Sequence, residues 1–140
     1  MYIDNELVLE MGMVVTQGAA TNDYASGCVN VGTAGRDVGA GKPMYCAINV
    51  TTDFASTGAA TITFQLLEES DVTIDSSSIV LSQTEAFAVS TMTAGRELIV
   101  IPVPPGVALQ YLGLGVVVAS HVLSAGTIDA YLTINPQTNP

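Results

Sequence analysis

Basic residues are nearly missing from this sequence: Arg36, Lys42 and Arg96 stand against thirteen Asp and Glu, for a formal net charge of -10. Nucleic-acid binding is disfavoured at once, because a phosphate backbone is met by clustered Lys and Arg whose released counterions drive affinity. An anionic membrane surface is excluded by the same reasoning. Mutual repulsion should keep copies soluble near neutral pH, and a partner surface is expected to be neutral or basic. Histidine is reduced to His121, so a jelly-roll metal site built on several imidazoles has no ligand set, and acid-base or nucleophilic catalysis has one ring to draw on. Trp is absent, and Tyr2, Tyr24, Tyr45, Tyr111 and Tyr131 fall into no local stripe, which weakens any sugar-stacking platform. The two cysteines, Cys28 and Cys46, do not make a disulfide framework; burial as small hydrophobes is the plainer expectation, with a single disulfide open. Charged residues amount to 11%, against about a quarter in ordinary globular chains. The surface must therefore be made largely of Thr, Ser, Asn, Gln, Gly and Ala, the skin of an extracellular-type or assembled all-β protein more often than of a cytosolic enzyme.

What the sequence does have is a long uncharged run, "LIVIPVPPGVALQYLGLGVVVAS", Leu98 to Ser120. Its length suits a membrane-spanning helix of about 20 residues. Pro102, Pro104 and Pro105 argue against that, each costing a helix interior about 3 kcal/mol through a lost donor and a ring clash, and Gly106, Gly113 and Gly115 weaken it further. Two buried strands joined by a "PPG" turn explain the same letters. The N-terminal "MYIDNELVLEMGMVV" has acidic residues where a secretion signal would be basic, and the sequon Asn49-Val50-Thr51 means little without export.

Strand periodicity recurs along the chain. In "ATITFQLLE" Ile62, Phe64 and Leu66 alternate with Thr61, Thr63 and Gln65; "GTIDAYLTI" and "MYCAINVTT" alternate in the same way. Further strands are expected at Glu6 to Thr16, Cys28 to Val31, Ser78 to Leu81 and Ala86 to Thr91, and no stretch shows a helical period. Turn chemistry falls at 32–43, 53–60, 68–71, 93–96, 104–106 and 124–126. About eight or nine short strands with one wet face each predict an all-β fold, an antiparallel two-sheet sandwich of the jelly-roll kind, with a small β-barrel as the alternative. Residues 1–140 suffice for one domain and its core, with extended ends at about 1–5 and 135–140.

Two segments invite a chemical reading. "GTAGRDVGAGKP" is Gly-rich, but a phosphate-binding loop needs Gly where Arg36 stands and Ser or Thr where Pro43 stands. A long connection whose corners come from Gly is the simpler account. Glu68, Glu69, Asp71 and Asp75 could supply oxygen ligands to calcium, but they lack EF-hand spacing, and a solvated acidic turn on a sheet rim explains them. No cofactor, metal or catalytic constellation is expected.

The stretch "VNVGTAGRDVGAGKPMYCAINVTTDFASTGAATITFQLLEESD", Val29 to Asp71, resembles the capsid-cement, or decoration, proteins of certain short-tailed bacteriophages, the type known from a Bordetella phage. The likeness lies in a strand leading into "GRDVGAGKP", then "MYCAINVTTDF", then the small-residue turn "ASTGAA" before "TITFQLLEESD"; "YIDNELVLE" and "GVALQYLGLGVVV" extend it over most of the chain. The resemblance implies a jelly-roll virion protein, made in the host cytoplasm, that sits on the outer capsid surface and bridges neighbouring major-capsid subunits. It also implies self-association, a dimer first and a trimer open. The expected contact elements are the Arg36 to Pro43 loop, with Arg36, Asp37, Lys42 and Pro43, and the two ends, with Tyr2, Pro136 and Pro140. A receptor-binding or adhesion module of a phage tail or surface fibre is the alternative, and it would call for clustered exposed aromatics. An enzyme on the same scaffold is opposed by the single histidine.

Overall fold

The computed structural model describes residues 7–15, 21–32 and 42–136. Ten strands run in chain order: β1 Val8–Val14, β2 Thr21–Tyr24, β3 Val29–Asn30, β4 Tyr45–Ser56, β5 Thr61–Glu69, β6 Ile79–Gln83, β7 Phe87–Ala88, β8 Ile99–Pro102, β9 Tyr111–Ala119 and β10 Leu123–Thr133. They form two antiparallel sheets, one ordered β1-β10-β4-β8 and the other β2-β9-β5-β6, with the two-residue strands β3 and β7 attached to β9 and β5.

Setting β3 and β7 aside, the pairings are nested. First strand meets last (β1 with β10), second meets seventh (β2 with β9), third meets sixth (β4 with β8), and fourth meets fifth (β5 with β6). The chain is one long hairpin of strand pairs, wrapped so that successive pairs alternate between the sheets and β10–β4 and β9–β5 close the contacts side by side. That is the jelly-roll wrap, and its two open sheets exclude the barrel.

Alternation supplies the core. Ile62, Phe64 and Leu66 of β5, Leu112, Leu114, Val116 and Val118 of β9, Cys46, Ile48 and Val50 of β4, and Ile128, Ala130 and Leu132 of β10 point between the sheets, each at most 2% exposed. Each large aliphatic or aromatic side chain so placed contributes about 1.5–3 kcal/mol of transfer free energy. Thr63, Gln65, Asn49 and Thr127 face outward on the same strands.

Four sequence expectations change. The Leu98–Ser120 run is core as expected, but β8 and β9 do not form a hairpin: β8 pairs with β4 and β9 lies in the other sheet, so Val103–Gln110 crosses between sheets. Among the described residues no helix is long and apolar enough to cross a membrane. "SAG" at 124–126 is not a turn, since β10 begins at Leu123 and the corner is Ser120, at φ 77°, with His121 N–H donating to the Ala119 carbonyl at 3.1 Å. Gly126, at φ 143°, marks irregular pairing within β10, where a β-carbon would meet the Phe54 ring. Ala86–Thr91 is a two-residue strand followed by a 3-10 turn at Val89–Thr91. β2, "TNDY", has no sequence signal of its own and is held by its register on β9.

The β5–β6 connection folds back over the outer face of its own sheet. Ile74, 7% exposed, sits over Gly113 so closely that a β-carbon there would lie 2.6 Å from Ile74 Cδ1, and Leu67 covers Gly115 in the same manner. The two glycines of "YLGLGVV" thus form a trough for Ile74 and Leu67, and Ser70–Ser78 is a strap across it. Its far side reaches Cys28, whose thiol donates to the Val72 carbonyl at 3.6 Å.

Candidate interaction surface

The nested pairing brings one end of the first sheet together. Tyr45, at the start of β4, pairs with Thr133 at the end of β10 and with Pro102 at the end of β8, while Val8 at the start of β1 pairs with Tyr131. The Val103 N–H donates to the Met44 carbonyl at 2.9 Å and extends the β8 contact one step. Lys42 and Pro43 therefore emerge beside Ile134, Asn135 and Pro136. Lys42, Pro43, Pro102 and Asn135 are exposed, Ile134 is 49% exposed, and Pro136 is half-buried. Of the expected contact residues, the structure thus collects Lys42, Pro43 and Pro136 at one end. Arg36, Asp37, Tyr2 and Pro140 lie outside the described residues.

The second sheet gives this end its acidity. Glu68 continues the inward face of Ile62, Phe64 and Leu66 and is 5% exposed, which corrects its reading as part of a solvated turn. Its Oε2 accepts the Ala108 and Leu109 N–H groups at 2.9 and 3.1 Å, fastening the crossing between sheets. The other carboxylates serve the strap. Glu69 accepts from the Ser70 N–H at 2.7 Å, the Ser70 hydroxyl at 3.0 Å and the Ser78 hydroxyl at 3.1 Å, and these bonds hold its pKa below the ordinary carboxylate range. The Ser77 hydroxyl, at 2.6 Å, and N–H, at 2.7 Å, do the same for Asp75. Asp71 accepts the Thr73 N–H at 2.7 Å. Hydroxyls and amides take up these oxygens, and among the described residues no group of three His, Cys, Asp or Glu converges as a metal would require.

The remaining chemistry-bearing groups are dispersed. Arg96 lies over the Phe87 ring at 5.1 Å and donates to the Thr91 carbonyl at 3.1 Å, bracing the 3-10 turn. His121 is exposed at the β9–β10 corner, against Gly58. Both thiols are free: Cys46 is in the core, where burial pushes its pKa to about 12, while Cys28 is half-buried. Tyr131 lies on the outer face of the first sheet yet is 2% exposed, its phenol raised first by burial and then by Asp129 and Cys46. An open groove of about 360 Å³ at the opposite end, lined by Phe54, Gly58, Ala59, Ala60, Ala88 and Ser90, contains no ionisable side chain.

Two features escaped the sequence reading. Alternation along "ITFQLLE" carries a signal for Glu68, since counting in twos from Ile62 reaches it. Ile79 and Val80 of β6 are both exposed, at 53% and 46%, where strict alternation would bury one of them. Both pair regularly, Ile79 with Glu68 and Val80 with Leu67, and the register shift comes only after Val80; they are exposed because β6 is the margin of its sheet, and no sequence signal marks a margin.

What these residues define is an acidic jelly-roll sandwich whose Lys42, Pro43, Ile134 and Asn135 are exposed at one end. Residues 9–132 match the family model Bbp16, so nearly the whole described sandwich is covered. The chain belongs to the Bbp16 family, a Bordetella phage protein family. No curated protein matches the chain.

Proposed function

We propose that the protein is a structural virion component that binds the outer surface of a phage capsid and bridges subunits of the major capsid protein, stabilising the head. The observation that carries this reading is membership of a phage protein family by a chain folded as a jelly roll. Charge supports the outer location: a net charge of -10 is repelled by packaged DNA and suits a surface turned away from it. The contact end described above, with Lys42, Pro43, Ile134 and Pro136, faces the shell, and the protein acts by binding rather than by catalysis. Copies associate as dimers, and each assembly spans more than one subunit, so modest individual contacts add to firm attachment on a repeating lattice.

The test is co-sedimentation of the purified chain with empty shells of its own phage's major capsid protein, unexpanded and expanded, with occupancy counted per shell. Saturation at a lattice-defined ratio and rupture of loaded heads at higher temperature than bare ones is the expected result. Absence of binding to either shell form overturns the reading and turns attention to attachment to host cells.

A further inference from the structure

Among the described residues the two sheets have four edges, and three of them carry devices that discourage a further strand. β1 is interrupted by two register shifts, with Gly12 at φ 67° and its N–H turned to Asp129 Oδ1 at 2.7 Å. β8 spans four residues and ends in Pro102, and the four-residue β2 carries Asp23. Bulges, prolines and charges are the usual guards of an edge. β6 has a register shift too, but on its later half; its opening residues Ile79 and Val80 carry no charge, no Gly and no Pro, and both are about half exposed. Alternate N–H and C=O groups of an edge strand point away from its sheet, so this short stretch offers backbone bonds and apolar contact together.

Charge decides what fits there. Glu69 and Asp75 hold the hydroxyls of Ser77 and Ser78 immediately before Ile79, and Glu85 follows β6 beyond Gln83. An antiparallel two-fold pairing of two β6 edges would carry Asp75 of one copy toward Glu85 of the other, like charges in a chain already at -10. A strand bearing Lys or Arg next to its apolar residues meets the opposite field. We propose that the β6 edge at Ile79 and Val80 takes up an extended segment of the capsid partner, apolar at alternate positions and basic beside the Glu69 and Asp75 carboxylates. This inference rests on the capsid-binding reading and names the element that makes the bond.

The experiment uses the full chain and empty shells, comparing wild type with Ile79→Thr/Val80→Thr, which keeps strand propensity, and with Glu69→Gln/Asp75→Asn, which keeps the oxygen acceptors. Thermal unfolding of the free chains establishes that each variant is folded. The Thr pair should weaken shell binding roughly tenfold or more, and the amide pair should flatten its salt dependence. Hydrogen exchange at Ile79 and Val80 should slow on the shell. Wild type that binds while both variants bind equally well, with exchange at β6 unchanged, overturns this inference and leaves the capsid role standing. Wild type that fails to bind overturns both. Self-association of the free chain that is lost in the Thr pair assigns the edge to a second copy and overturns the basic-strand partner.

Discussion

Gly113→Ala tests whether the strap truly occupies the outer face of the second sheet, because the sign of its effect depends on it. Gly113 does not need a positive φ, so on an open face the added methyl would restrict the unfolded chain and stabilise the protein by about 0.4–1 kcal/mol. With Ile74 in the trough, the β-carbon falls on Ile74 Cδ1 and Cγ2 at 2.6 and 3.0 Å. Overpacking of that kind costs about 1–3 kcal/mol. Ile74→Ala alone should cost about 2 kcal/mol, the low end for a large aliphatic, since the strap is a single layer over the sheet. Alanine at both positions removes the clash, so the double variant should be close to Ile74→Ala, giving a coupling of about 1–3 kcal/mol, the whole cost of the single Gly113→Ala change. Urea unfolding of the four proteins measures this directly. A stabilising Gly113→Ala, or additivity within about 0.5 kcal/mol, refutes the packing of Ile74 on Gly113.

Glu68→Ala should cost about 2–3 kcal/mol by leaving the Ala108 and Leu109 N–H groups without their acceptor, and Glu68→Gln roughly half of that; chemical unfolding separates the two. Glu69 and Asp75 have folded pKa values below their ordinary ones, so the stabilisation they bring is complete above the ordinary carboxylate range and is lost as pH falls through the lowered values. Exchange protection of Ser70–Ser78 should accordingly drop in acid, and Ser77→Ala should shrink the drop. Under native conditions a thiol reagent should label Cys28 slowly, its pKa raised by burial and then by Asp71, and leave Cys46 untouched until the chain unfolds; mass spectrometry counts the labels. Deleting residues 135–140 should lower capsid occupancy in the sedimentation assay, and unchanged occupancy removes that tail from the contact surface.

Strands buried on one face were legible because alternation is a property of the letters: "TITFQLLE" and "TIDAYLT" reveal their inward residues directly. β2 was hidden because "TNDY" is polar and owes its conformation to β9, a partner some 90 positions away by register. The Pro104-Pro105-Gly106 turn was visible, but whether a turn closes a hairpin or passes to the other sheet depends on which edge of β4 is free to pair, and local chemistry does not encode that. Gly113 and Gly115 counted against a spanning helix, and in the strand they prove to be contacts, since the side chains that need the space come from Ile74 and Leu67. Lys42, Pro43 and Pro136 stood out as candidates by loop and tail composition. Their proximity follows from Tyr45 pairing with both Thr133 and Pro102, a fact of topology alone.

The nested wrap also governs how the protein is made. β10 is the last strand synthesised, yet it lies inside the first sheet between β1 and β4, with Ile128, Ala130 and Leu132 in the core. A chain emerging from the ribosome therefore holds β1 and β4 without the strand that joins them, and their facing edges stay unpaired until Leu123–Thr133 has been released. Folding is thus a late, concerted event with long loops to close, slow by the standard of local topologies. A copy cut short before β10 would lose the middle of a sheet instead of its margin, which makes completeness of this strand a condition for having the outer surface at all.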